Sequence, residues 1–371
     1  MREVSSECWD KSAAVLRGLS DEALGLPQGW IRLLAEALLT RDFTQVSNRF
    51  IEGSFIGPSG CLLLVGPYTA YRQAHQTTAL SAIYGRILPL KGPPDCHEEL
   101  ALIFGKAPDN IKPLLPVAIE HSAGLLTGET GEAFIVPDGW RWPASAKGPA
   151  IHNMIEQRRR FLDSGMFCIR RIFDTDSADL ICSAVEGHCG LQNQHLEYSL
   201  HDIGHATGLG LPIKIGLGLL PSYWYRGVEE YRADGMALEL AARLLPEEHF
   251  GRVVASNLYT RLGLDAHRLG GMFRDGDVNS ALLTLDRLFE ANALRIVDGR
   301  LMFRDMSYQG LAKAVTLIRS EGLVLTRAEL TDPYPESVLS RNARVQVHPS
   351  TIAIFEGLLV NSCLGTYREL R

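Results

Sequence analysis

Two histidines and a group of acidic residues in the second half of the sequence have the types and spacing of a metal site. His201 and His205 are four residues apart, so on a helix they project from the same face. Imidazoles in that arrangement can occupy two corners of a tetrahedral zinc ion, and Glu230 can supply a third ligand from a second helix. Three protein ligands leave one position open for water, which is typical of a catalytic zinc rather than a structural one.

Further acidic residues flank these candidate ligands. Asp234 lies one helical turn beyond Glu230, and Glu229 precedes it directly. Each can accept the outer N–H of a ligating histidine and thereby fix the orientation of the ring. Asp202 follows the first histidine, where zinc peptidases carry the carboxylate that activates water, and we expect it to act as general acid/base.

The alternative is a helix with two unrelated histidines and a solvated acidic face. The spacing of His201 and His205 occurs often by chance, but the Glu-x-x-x-Asp pattern of Glu230 and Asp234 favours a metal site. Zinc is inferred from the ligand types, and Fe²⁺, Mn²⁺ or Co²⁺ could take its place.

Two helices must position these side chains. The first is predicted to run from about His195 to Thr207 and to end at Gly208. The second is predicted to begin at Ser222 or Gly227 and to reach Leu245 before Pro246. The intervening stretch contains several glycines and cannot be one continuous helix.

Other segments have weaker patterns. The later part of Asn110–His121 is predicted to be helical, as is Ala150–Asp163, whereas Met166–Phe173 is predicted to be a strand. Asp174 should cap the next helix. Residues 294–303 have a hairpin pattern around Asp-Gly.

Length and composition limit the class of protein. A chain of 371 residues exceeds the roughly 250–300 residues that one core supports, so two lobes are expected. The hydrophobic content of 46% is typical of a globular protein, and the net charge of −6 argues against nucleic acid as the main partner. Seven loosely spaced cysteines and the absence of a signal-peptide or membrane-spanning pattern predict a cytoplasmic protein with no membrane partner.

The metal motifs resemble those of the dipeptidyl peptidase III family of zinc metallopeptidases. That family has a His-Glu-…-Gly-His helix and a Glu-Glu-x-x-Ala-(Asp/Glu) helix, which residues 201–205 and 229–234 match. The resemblance likewise implies that Glu230 is the third ligand. It also implies two lobes around a wide cleft, one of them mostly helical and carrying the metal.

A weaker resemblance covers residues 66–71, which are similar to a Gly-Pro-Tyr-Glu-x-Tyr segment of bacterial relatives. It implies that Tyr68 or Tyr71, and more strongly Tyr71, polarises a substrate carbonyl or stabilises an oxyanion. The alternative for either residue is a buried tyrosine with a satisfied hydroxyl group. The chain departs from the family at two positions. Asp202 stands where the family has glutamate, and Thr69 stands where the family has an acidic residue.

We therefore predict an α+β, predominantly α-helical protein with two lobes around a cleft. Residues 1–150 are expected to form a mixed α/β lobe with N-terminal helices, and residues 151–371 a mostly helical lobe that carries the zinc site. Arg226 and Arg232 could bind a substrate carboxylate or form surface ion pairs.

The predicted activity is zinc-dependent hydrolysis of an amide or peptide bond in a small molecule or short peptide. Asp202 and Thr69 leave two alternatives open. One is a zinc-dependent lyase, isomerase or cyclase that acts on a small carbonyl metabolite. The other is a metal-bearing binding protein without catalysis.

Overall fold

The chain divides into two compact units in the computed structural model. The strand unit comprises Met1–Leu90 and Lys112–Arg158, and the helical unit comprises Lys91–Ile111 and Arg159–Arg371. The structure describes residues 10, 13–14, 16–18, 20–22, 28–40, 54–56, 61–70, 79–105, 114–123, 134–137, 150–160, 162, 165–209, 223–265, 276–331 and 348–360.

A sheet that closes on itself organises the strand unit. Among the described residues its strands are β1 (Ser54–Ile56), β2 (Cys61–Ala70), β3 (Ala79–Ile87), β4 (Leu114–Ala123), β5 (Phe134–Pro137) and β6 (Ala150–Asn153). Their order is β1-β2-β3-β4-β6-β5, and a further pairing between β2 and β5 completes the closure. Only β4 and β6, of the pairs described, run parallel. Val117 and Ile151 are fully buried.

Helices dominate the rest of the chain. They are α1 (Trp30–Thr40), α2 (His97–Phe104), α3 (Met154–Arg160), α4 (Met166–Ile172), α5 (Thr175–Ser183), α6 (Gly187–Ala206), α7 (Tyr223–Leu244), α8 (Glu247–Leu258), a π-helix (Tyr259–Asp265), α9 (Gly276–Glu290), α10 (Tyr308–Ala314), α11 (Thr316–Thr331) and α12 (Pro349–Val360). Helices α2 and α4–α12 lie in the helical unit. The prediction of a mostly helical α+β fold with the metal motifs on helices is confirmed.

Helix α7 is the centre of the helical unit. All of its residues from Tyr231 to Ala241 are buried, so the helix has no solvated face over this length. Glycines allow its neighbours to approach closely. A Cβ atom added to Gly204 of α6 would overlap the Ala233 backbone, and one added to Gly235 would overlap Gly322 of α11. The two metal-motif helices are therefore in backbone contact.

Several local predictions are confirmed. Strands β7 (Leu294–Val297) and β8 (Arg300–Phe303) form the predicted hairpin, and both turn residues, Asp298 and Gly299, have positive φ as its two-residue turn requires. The Asp174 side chain accepts a hydrogen bond from the Ser177 backbone N–H and caps α5. None of the helices in the described part of the chain combines the length and apolar character needed to cross a bilayer.

Two segments differ from their predictions. Leu114–Ala123 is strand β4 rather than a helix, because pairing with β3 and β6 uses its backbone groups. Met166–Ile172 is helix α4 rather than a strand, and it buries Ile169 and Ile172 three residues apart on one face. Short apolar runs fit either structure, so their tertiary neighbours decide. The predicted helix at 150–163 is described as β6 followed by α3.

The contact between α6 and α7 gives a first prediction. Replacing Gly204 by alanine should lower the free energy of unfolding by roughly 1–3 kcal/mol, because the methyl group meets the Ala233 backbone and the helices must separate. Urea denaturation followed by circular dichroism measures this. Gly92→Ala, whose methyl group would enter open space, is the control. A Gly204→Ala protein as stable as the wild type would contradict the prediction.

Candidate metal centre

The two histidines project from α6 toward one point. His201 and His205 are one turn apart, and their Nε2 atoms lie 3.0 Å from each other. The rings meet edge to face with their centroids 4.5 Å apart. The side chains retain 12% and 22% exposure, so solvent reaches the site.

The carboxylate of Glu230, on α7, faces both of these nitrogens. Its Oε2 atom lies 3.2 Å from His201 Nε2, and its Oε1 atom lies 3.6 Å from His205 Nε2. Ligand atoms ~2.0–2.1 Å from a tetrahedral ion are separated by roughly 3.3–3.4 Å. Each of the three observed separations, two of which end on different oxygens of Glu230, is therefore close to the spacing of ligand atoms around such an ion. Within the described residues this is the group of histidine, cysteine and acidic side chains that could hold an ion.

A carboxylate engages the outer nitrogen of each imidazole. His201 Nδ1 lies 2.8 Å from Asp234 Oδ1, and His205 Nδ1 lies 2.9 Å from Glu229 Oε1. Because a carboxylate accepts hydrogen bonds, each Nδ1 carries a hydrogen, and Nε2 is the nitrogen that can ligate an ion once it is deprotonated. This is the tautomer that a metal ligand needs.

An arginine in turn engages each of these carboxylates through two nitrogens. Arg232 donates from Nε and Nη2 to the two oxygens of Glu229, at 2.9 and 2.7 Å. Arg261 of the π-helix donates from Nε to Asp234 Oδ2 at 2.6 Å and from Nη2 to Oδ1 at 3.0 Å. Each histidine of α6 is therefore hydrogen-bonded to a carboxylate, and that carboxylate is hydrogen-bonded to a guanidinium.

Arg232 corrects a sequence-based interpretation. Its side chain is fully buried, so it neither binds a substrate carboxylate from solution nor forms a surface ion pair. Nη1 donates to the Gly204 carbonyl oxygen at 3.2 Å and to Thr326 Oγ1 at 2.9 Å. The side chain thus joins α7 to α6 and α11. The side chain of Arg226 lies outside what the structure describes.

The charges around His201, His205 and Glu230 favour a positive charge among these side chains. Burial lowers the pKa of His201, but Asp234 and Glu230 outweigh it and raise that pKa well above its ordinary value. Burial raises the pKa of Asp234, but Arg261 and His201 outweigh it and bring the value to about 2. Glu230 is likewise held well below its ordinary pKa by the two histidines, against the effect of burial. The carboxylates are therefore ionised, as metal ligands and their partners must be.

Asp202 lies next to His201 on α6 and is half-buried. Burial raises its pKa above the ordinary value, although the two histidines oppose that effect. A carboxyl group with a raised pKa is better matched to proton transfer near neutral pH than an ordinary one.

Glu197 is an acidic residue of α6 that the sequence reasoning missed. It lies one turn before His201 and is buried, and its Oε1 accepts a hydrogen bond from Asn257, which also donates to Asp234. The other oxygen, Oε2, is buried with no hydrogen-bond partner among the described residues. Burial, followed by repulsion from Asp234, raises the Glu197 pKa to about 7. The four-residue spacing to His201 was the available signal.

Arg261 was also missed. It stands in an apolar stretch with Tyr259 and Leu262 on either side, both fully buried. A charged residue within such a stretch indicates a buried ion pair, but no sequence pattern identifies its partner.

The aromatic candidates lie in or beside β2 of the strand unit. Tyr71, the predicted carbonyl-polarising residue, falls outside the described residues, and its role stays a prediction. Tyr68 pairs with Pro137 of β5, and Thr69 pairs with Val136.

Residues 7–245 match the protein-family model described as "Family of unknown function (DUF6014)". The chain belongs to this family. No curated protein matches it.

Solved structures show the fold. The DUF6014 chain is similar to the structure of DPP III from Caldithrix abyssi, with a TM-score of 0.62 and 14% identity over 98% of this chain and 71% of that one. It is also similar to dipeptidyl-peptidase III from Corallococcus sp. strain EGB, with a TM-score of 0.51 and 16% identity over 95% of this chain and 66% of that one. Its fold is therefore of the dipeptidyl-peptidase III type.

The buried Glu197 gives a second prediction. Between pH 4.5 and 7 the unfolded chain loses the Glu197 proton while the folded chain keeps it, so the free energy of unfolding falls as the pH rises. Glutamine cannot ionise. The metal-free Glu197→Gln protein should therefore gain stability relative to the wild type, by about 3 kcal/mol at most, between about pH 5 and about pH 8.

Urea denaturation in the presence of a chelator measures this difference. Glu248→Gln, which changes an exposed glutamate of α8, is the matched control and should show no such trend. If the stability difference between Glu197→Gln and the wild type is the same at both pH values, Glu197 does not titrate as described.

Proposed function

We propose that this protein is a zinc-dependent hydrolase of amide or peptide bonds. His201, His205 and Glu230 would hold the metal. The observation that carries the proposal is the convergence of the two Nε2 atoms, 3.0 Å apart, with the Glu230 carboxylate, whose oxygens lie 3.2 and 3.6 Å from them, together with a carboxylate on the outer nitrogen of each imidazole. The dipeptidyl-peptidase III type of fold supports the same class of reaction.

A zinc ion bound there would polarise the scissile carbonyl and lower the pKa of a bound water molecule. The remaining work falls to the side chains of the protein. Asp202 takes the proton from the attacking water and delivers it to the leaving nitrogen as the carbon–nitrogen bond breaks. Glu229 and Asp234 keep the imidazoles in the ligating tautomer.

The substrate is proposed to be a short peptide or another small amide, and Tyr71 is proposed to stabilise the developing oxyanion. A cytoplasmic location is proposed because the described cysteines, Cys96, Cys168, Cys182 and Cys189, are all free thiols.

Metal analysis tests the first step. We expect the purified protein to hold one equivalent of Zn²⁺, and we expect His205→Ala to lose it. Removal of a ligand should cost more than the roughly 10–100-fold in affinity that loss of an outer partner costs. Mass spectrometry of the metals and titration with a zinc indicator measure both. His249→Ala, an exposed histidine of α8, is the control. Equal zinc affinity in His205→Ala and the wild type would refute the site, and a different bound metal would replace zinc in the proposal.

Peptide cleavage tests the chemistry. Zinc-loaded protein should cut members of a short-peptide library, and Asp202→Asn should reduce kcat by roughly 10²–10⁴-fold because the amide cannot accept the proton. Asp176→Asn, an exposed aspartate of α5, should leave the rate unchanged. An Asp202→Asn rate equal to that of the wild type would remove the acid/base role.

A second candidate keeps the metal site and changes the reaction. The side chain of Asp202 is one methylene shorter than the glutamate of the family it resembles, and this favours a lyase, isomerase or cyclase in which Asp202 abstracts a proton from a small carbonyl metabolite. The two candidates are separated by Asp202→Glu. If the wild type cuts no peptide and Asp202→Glu does, hydrolysis is not the natural reaction. Zinc binding without turnover of either substrate class would indicate a binding protein.

A further inference from the structure

One arginine contacts a candidate metal ligand and also the carboxylate that is hydrogen-bonded to a second candidate ligand. Arg261 Nη2 donates to Glu230 Oε2 at 3.2 Å as well as to Asp234 Oδ1 at 3.0 Å. Its side chain is 5% exposed. Two of the three candidate ligands are therefore linked through this guanidinium, Glu230 directly and His201 through Asp234.

The third arm of the guanidinium reaches a different helix. Arg261 Nη1 lies 3.7 Å from Asp277 Oδ1 at the start of α9. Ser280 of α9 donates to Asp234 Oδ2 at 3.4 Å. The plane of the guanidinium is thus held between α7 and α9, and this leaves it little freedom to turn away from Glu230.

The backbone that carries Arg261 is unusual. Helix α8 continues without a break into the π-helix Tyr259–Asp265. Hydrogen bonds from i to i+5 make a wider and rarer turn than those of an α-helix, and such turns occur frequently at functional sites. Asn257, at the end of α8, and Arg261, in the π-helix, both donate to Asp234. The wider turn therefore begins between two residues that donate to the same carboxylate.

We propose that Arg261 is a positioning residue that orients Glu230 and Asp234 together and thereby sets how Glu230 coordinates the metal. This inference rests on the proposed metal site. By engaging Oε2, Arg261 fixes the plane of the Glu230 carboxylate, so that Glu230 acts as a one-oxygen ligand. Without Arg261 this carboxylate can turn and present both oxygens to the ion, and Asp234 loses its arginine partner.

Cobalt provides a direct readout of this geometry. Co²⁺ absorbs visible light strongly in four-coordinate sites and weakly in sites of higher coordination. Metal-free protein titrated with cobalt chloride should therefore give an intense visible spectrum in the wild type. Arg261→Met should weaken the absorption per bound ion and lower the Co²⁺ affinity by roughly 10–100-fold.

A second variant, Arg261→Lys, tests the inference even if Arg261→Met fails to fold. Lysine keeps a positive charge beside Asp234, but its single, shorter-reaching nitrogen cannot reproduce the planar fork on Asp234 together with the contact to Glu230. We expect this variant to fold, as judged by circular dichroism, and still to show the weaker spectrum and affinity. Arg287→Met is the matched control, because Arg287 donates to Glu321 through Nε in a comparable ion pair away from the metal ligands.

The outcomes are distinct. If a folded Arg261→Lys protein has the wild-type cobalt spectrum and an affinity within about threefold of the wild type, Arg261 does not position Glu230. If Arg287→Met changes the spectrum as much as the Arg261 variants do, the effect is general loss of packing and the inference fails. If the wild type gives no cobalt spectrum at all, the proposed metal site fails and this inference fails with it.

Discussion

The candidate centre depends on how the buried part of helix α7 accommodates ionised side chains. Helix α7 is surrounded by protein from Tyr231 to Ala241, yet Arg232 and Asp234 lie within that stretch. A buried charge costs several kcal/mol unless it is paired and hydrogen-bonded. Here each carboxylate that contacts an imidazole also accepts hydrogen bonds from two nitrogens of an arginine. The arginine that pairs with Glu229 lies in α7 itself, and the one that pairs with Asp234 lies in the π-helix. Glu229 and Asp234, held in this way, fix the tautomers of His205 and His201.

This arrangement already brings the three candidate ligand side chains together. They come from two helices whose backbones touch at Gly204, so their spacing depends on helix geometry and on one close contact. Sites on packed helices hold their groups more accurately than sites on loops. The proposed acid/base residue, Asp202, belongs to the same helix as the histidines, so its place is set by the same packing. Among the described residues, the three candidate ligands all belong to the helical unit.

The fold was predictable where the local pattern allowed one structure. The β7–β8 hairpin and the Asp174 cap follow from turn and cap chemistry within a few residues. The structure of β4 and α4 was not predictable, because their short apolar runs suit a strand or a helix equally. In β4 the partner strands come from residues 79–87 and 150–153, and no local signal identifies them. The match to dipeptidyl-peptidase III structures at 14–16% identity shows the same separation of fold from sequence.

The sequence by itself determined which groups could ligate an ion and on which faces of two helices they lie, because a helical repeat converts spacing into direction. His201 with His205, and Glu230 with Asp234, are such pairs. Only the tertiary structure decided that the two faces meet and which charges lie behind them. Arg261 is 31 residues from Glu230, and no periodicity connects residues that far apart. Their contact exists because burial of Asp234 requires a cation, and the packing of the π-helix against α9 brings one there.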